Sequence, residues 1–172
     1  RAGTAPPSAR GELRALRRPQ LLVVLLLGAL VNGATFCSFT FLAPVLTDVS
    51  EIGAGWLPGM LALFGAGSFL GVRLATRWSD TRPGPVLAFG GTVLVVGWAA
   101  FALTAGNAVA AVVLVPLLGT LAFAVGSTLI ARVLYAGSDA PSLAGSFATA
   151  SLNVGAAVGP WIGGITIGAG LG

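Results

Sequence analysis

From residue 21 onward the chain is a succession of long apolar runs separated by short polar gaps. Five runs reach the roughly 20 residues an α-helix needs to cross a bilayer: residues 21–46, 56–75, 86–104, 109–134 and 143–167. None alternates with a period of two, and each is far longer than a strand. The pattern therefore predicts an all-α, polytopic transmembrane helical bundle. Residues 1–20 are polar and proline-rich, with a short helical pattern from Glu12 to Arg18. The gaps at 47–55, 77–85, 105–108 and 135–142 read as turns.

Composition agrees. Of the 172 residues, 56% are hydrophobic and 8% charged, and the mean hydropathy is +0.96. A soluble domain carries roughly 25% charged residues, so an ordinary cytosolic enzyme, a disulfide scaffold and a disordered tail are excluded. The net charge of +4 comes from nine arginines, with no lysine. They stand at 1, 10, 14, 17, 18, 73, 77, 82 and 132, in the gaps or at run ends, which makes them a topology signal and not a nucleic-acid surface. With the N-terminal segment cytoplasmic, every arginine falls on the cytoplasmic side. Asp48, Glu51 and the uncharged 105–108 turn fall on the other. Five spans satisfy this rule; four or six do not. There is no histidine, and Cys37 is the sole cysteine, so neither a metal centre nor a cofactor is expected. The chain opens on Arg1 without a signal-peptide pattern and ends on a glycine-rich stretch, and the expectation is an internal piece of a longer polypeptide.

The chemistry-bearing strings lie in and between these runs. Gly155-Ala-Ala-Val-Gly159-Pro160-Trp161-Ile162-Gly163-Gly164 places glycines 155, 159 and 163 on one helix face, where a neighbouring backbone can approach. Pro160 removes a donor and favours a kink. Isolated glycine pairs at this spacing are ordinary helix packing; the whole string is rarer. Gly71-Val-Arg73-Leu-Ala-Thr-Arg77-Trp-Ser-Asp80-Thr-Arg82 joins the second and third runs. An Asp among arginines there can bond helix ends and latch one conformation, or be plain positive-inside chemistry. Gly65-Ala-Gly67-Ser-Phe-Leu-Gly71 misses a dinucleotide fingerprint by one residue and lacks the strand, so it reads as packing. Asn32, with Phe36 and Phe39 on its face, and Asn153 sit mid-span. An unpaired amide in hydrocarbon is costly, so both should face a cavity or another helix. An amide among aromatics suits an uncharged amphipathic ligand. No acidic residue lies within a run, so a titratable proton carrier must come from elsewhere.

On these residues the chain resembles the major facilitator superfamily. The string at 155–164 is similar to its antiporter motif, and Gly71, Asp80 and Arg82 resemble a degenerate copy of its cytoplasmic loop motif, without the trailing Gly-Arg pair. Phe41-Leu-Ala-Pro-Val, Gly126-Ser-Thr-Leu-Ile-Ala-Arg and Ala150-Ser-Leu-Asn-Val resemble the twelve-helix drug:proton antiporters, most closely actinobacterial chloramphenicol-resistance exporters. The resemblance implies a C-terminal half. Residues 1–20 would end the central cytoplasmic loop, and residues 21–172 would hold helices seven to eleven, without the N-terminal half or the last helix. It implies rocker-switch, proton-coupled efflux of a small hydrophobic drug across the cytoplasmic membrane. Asn32, Phe36, Phe39 and Asn153 would line the cavity; Gly155, Gly159, Pro160, Gly163 and Gly164 would form a close helix contact. Two alternatives stand: an arabinose-type sugar efflux facilitator, and a structural membrane protein that assembles as an oligomer.

Overall fold

The computed structural model describes residues 18–78, 83–138 and 141–170. It contains five long helices: α1 (Pro19–Thr40), α2 (Leu57–Trp78), α3 (Pro83–Leu103), α4 (Ala108–Ala136) and α5 (Pro141–Gly168). Each is long and apolar enough to cross a membrane, and there is no strand among the described residues. This is an all-α bundle of the kind that satisfies every backbone group within its own helix.

Local chemistry sets the ends. Pro19 opens α1 in the first turn, where its missing N–H costs nothing. The Asn107 side chain caps α4 by accepting from the Ala110 N–H at 3.0 Å. Pro116 and Pro160 lie inside α4 and α5, which run on through them.

The first apolar run differs from the expectation of a single helix. Phe41 leaves helical geometry (φ −96°, ψ 6°), a single turn follows at Leu42–Pro44, and the chain widens into a π turn at Val45–Val49. Pro44 is the local cause, because it has no N–H for the carbonyl four residues earlier. Helical backbone thus enters the gap expected to begin at residue 47. It ends at Glu51, whose φ of +55° lies in the left-handed region, and the Ser50 hydroxyl donates to the Ala105 carbonyl at 2.5 Å. The other helices keep within a few residues of their expected spans; α2 runs on to Trp78 and so carries Arg77 as well as Arg73 in its last turns, as α4 carries Arg132.

The central helix is α4, against which the other four pack, while α3 lies outermost. Leu21, Val24, Val125, Leu129 and Val133 form one core cluster; Leu42, Leu46, Met60, Ala111 and Val115 form another. Within the long helices buried hydroxyls return to their own helix: Thr128, fully buried, donates to the Ala124 carbonyl at 2.8 Å. On the outside, Phe89 and Leu103 are 75% and 87% exposed. A water-facing surface of that kind would aggregate; lipid accepts it. The molecule is a multi-pass membrane protein.

A candidate functional cleft between three helices

A cleft opens where α1, α2 and α4 meet. Asn32, Thr35, Phe36 and Phe39 line it from α1, Phe64 from α2, and Phe123, Gly126 and Ser127 from α4, with Leu152 of α5 at one edge. It has two adjoining parts that share Thr35, Phe36 and Phe123. The part around Asn32, Gly126 and Ser127 encloses about 200 Å³. The part around Phe39 and Phe64, one turn further along α1, encloses about 130 Å³. Either alone is smaller than the roughly 300 Å³ at which small-molecule pockets begin; joined, they reach it. The Phe39 and Phe64 rings lie 5.1 Å apart and tilted, and Phe64 meets Phe123 edge-on at 6.2 Å, separations typical of attractive aromatic pairs. Among the described residues lining the cleft there is no charged side chain.

What holds α1 against its neighbours is the glycine face of α5. Added Cβ atoms at Gly155 and Gly159 would fall inside the Ala29 and Gly33 backbone. One at Gly163 would stand 2.6 Å from Cys37 Sγ. The two helices therefore touch backbone to backbone at Gly155 and Gly159, and backbone to side chain at Gly163. Two side chains cross this contact: Asn32 Nδ2 donates to the Leu152 carbonyl at 2.7 Å, and the Ser151 hydroxyl donates to the Leu25 carbonyl. Gly164 sits off this face, its nearest neighbour being Phe41 Cζ at 4.0 Å from the added Cβ. A second glycine contact sets α2 on α4: a Cβ at Gly67 would meet the Pro116 backbone and one at Gly71 that of Thr120.

Of the expected cavity residues, Asn32, Phe36 and Phe39 come together in the cleft. Asn153 does not line this cleft. It lies about 200° around the helix from Gly155 at 100° per residue, so it faces away from α1 and is exposed. Gly71 is buried inside α2 against α4, in helix packing and not in the loop. Asp80 and Arg82 lie outside the described residues.

The sequence is 57% identical over 167 residues to a chloramphenicol resistance protein of Streptomyces lividans, covering 97% of this chain and 43% of that one. It is 34% identical over 168 residues to the inner membrane transport protein YdhP of Escherichia coli strain K12, covering 98% of this chain and 43% of that one. It is also 28% identical over 160 residues to the uncharacterized MFS-type transporter YtbD of Bacillus subtilis, covering 91% of this chain and 40% of that one. The chain belongs to the major facilitator superfamily. It spans about 43% of the length of the first two of these curated relatives, about as much as a facilitator half would. No family model matches it, and no solved structure does. Within this facilitator segment the pattern of residue types passed over four cleft residues: Thr35, Phe64, Phe123 and Gly126. Only the placement of α2 and α4 distinguishes these from the apolar and small residues beside them.

Proposed function

We propose that this chain is the C-terminal half, helices seven to eleven, of a facilitator that exports a chloramphenicol-like drug across the cytoplasmic membrane. Residues 1–20 then end the central cytoplasmic loop, and every arginine faces the cytoplasm. The observation that carries the reading is the 57% identity, along 97% of the chain, to a protein named for chloramphenicol resistance. The cleft has the matching character: aromatic walls, one amide and no charge suit a neutral amphipathic drug.

In this mechanism the two halves of the transporter rock about the midplane and expose the cleft to each side in turn. The close contact of α1 with α5, through Gly155, Gly159 and Gly163, keeps α1 rigid while it moves. Protons run in the opposite direction on a carboxylate of the other half, because no acidic residue lies within the five spans. Asp80 and Arg82 latch the cytoplasmic loop.

The test is accumulation of radiolabelled chloramphenicol in cells expressing the natural full-length polypeptide, with and without a protonophore. Expected is low accumulation that rises to the level of non-expressing cells once the protonophore is added. Equal accumulation with and without the protein overturns the export reading. Low accumulation that survives the protonophore overturns the proton coupling alone.

A further inference from the structure

The two parts of the cleft differ in what they can offer a ligand. In the polar part, Asn32 gives one of its two amide hydrogens to a helix carbonyl. The Leu152 carbonyl can only accept, so the NH2 side of the amide must face it at 2.7 Å. Asn32 Oδ1 is left without a protein donor and is not shut away from the cleft. Thr35 gives its hydroxyl hydrogen to the Val31 carbonyl at 2.7 Å, so that only its oxygen lone pairs remain. The Ser127 hydroxyl has no protein partner among the described residues and is half-buried at the cleft wall. This part therefore presents three oxygens and two hydrogens, that of Ser127 and the second amide hydrogen of Asn32. Acceptors outnumber donors in it.

The other part presents only rings and the Thr35 oxygen. Its 130 Å³ is close to the roughly 150 Å³ of an apolar cavity that stays dry and takes up benzene. The tilted and edge-on pairing of Phe39, Phe64 and Phe123 leaves ring faces and edges for a third aromatic to join.

We propose that the cleft is a two-chamber site for an uncharged aryl compound carrying hydroxyl or amide hydrogens one bond or two from its ring. The ring enters the Phe39–Phe64–Phe123 chamber, and the ligand's O–H or N–H groups donate to Asn32 Oδ1 and Ser127 Oγ. The site selects by hydrogen-bond sense: a ligand of the same shape whose donors are capped leaves the Asn32 and Thr35 oxygens without a partner. A carboxylate finds no cation among the described lining residues to offset its desolvation. An organic cation finds no acid among the lining residues to offset its desolvation. This inference rests on the drug-export reading and goes further, since it fixes which groups of the drug are read and by which residues.

The test uses the natural full-length protein in lipid nanodiscs. The probe is equilibrium binding of radiolabelled chloramphenicol, a neutral aryl diol with one amide N–H, competed by its di-O-acetyl ester and by tetraphenylphosphonium. Capping two donors should weaken competition at least about tenfold, as expected for two lost neutral hydrogen bonds, and tetraphenylphosphonium should not compete. A substitution tests the location. A Cβ at Gly126 meets nothing within 4 Å, so Gly126→Leu grows into the polar chamber without striking the fold. It should abolish binding while the melting temperature holds, and Gly126→Ala should melt no lower than the parent. Equal competition by the diacetate, competition by the cation, or full binding by Gly126→Leu overturns the two-chamber assignment while leaving drug binding standing. Absence of any chloramphenicol binding by the parent overturns the drug reading itself, and this inference with it.

Discussion

A methyl group on Gly159 tests the contact on which the placement of α1 depends. Its carbon would lie 2.5 Å from the Gly33 carbonyl carbon and 2.7 Å from the Gly33 Cα, with the carbonyl oxygen closer still. Non-bonded carbons settle at about 3.5–4.0 Å, so α1 and α5 must part by about 1 Å at this level. Both partners are main chain, and no side chain can rotate out of the way. Overpacking of this kind costs about 1–3 kcal/mol, and alanine's better helix propensity returns about 1 kcal/mol of it. The net loss, about 1 kcal/mol at the middle of this range, corresponds to a fall of roughly 2–4 °C in melting midpoint for a chain of this size. Gly164→Ala, five residues on in the same string, is the matched control. Its methyl group meets only Phe41 Cζ at 4.0 Å, so it should leave the midpoint unchanged or raise it. The assay is thermal unfolding of the full-length protein in detergent, followed by the fraction that stays monodisperse on size-exclusion chromatography. Equal midpoints for the two variants would refute the reasoning, because the two differ in one respect only: what the new methyl group strikes.

Two further outcomes follow from the same geometry and from the loop. Gly71→Ala drives a methyl group to 2.9 Å from the Thr120 carbonyl carbon and should lower the yield of folded protein, whereas Gly65→Ala on the open face of α2 meets nothing within 4 Å and should not; fluorescence-detected size exclusion reads both. Asp80→Asn should reduce drug export at unchanged membrane level if the loop latches one conformation, and unaltered resistance at equal expression would count against the latch.

The five spans were legible because a bilayer leaves a chain few choices. Long apolar runs with their arginines at the ends can only be helices, and their expected limits fell within a few residues of those observed, except where Pro44 breaks the first. The glycine strings were equally legible as packing faces, since Gly155, Gly159 and Gly163 recur at a spacing that puts them on one side. The cleft was legible only in part. In a soluble helix, polarity marks the outer face and leaves the inner one apolar. A membrane helix is apolar on all sides, and Phe64 and Phe123 carry no mark separating them from Phe69 or Phe89, which face outward. Their roles arise when α2 and α4 are fixed at Gly67, Gly71 and Gly119, contacts that turn one ring inward and its neighbours out.

The two asparagines show where a cost argument needs geometry to finish it. Both amides are expensive in hydrocarbon, which requires a partner without saying which. Asn32 finds one on α5, the Leu152 carbonyl, and that bond fixes the amide with its oxygen left open to the cleft. Asn153, one residue further along α5 than Leu152, points the other way and is exposed. The same cost still applies to it, so what it meets, a cavity or another helix, lies beyond these five helices. Asn153 is on a face of α5 separate from the wall of the cleft. Asn153→Ala should then spare chloramphenicol binding where Asn32→Ala abolishes it.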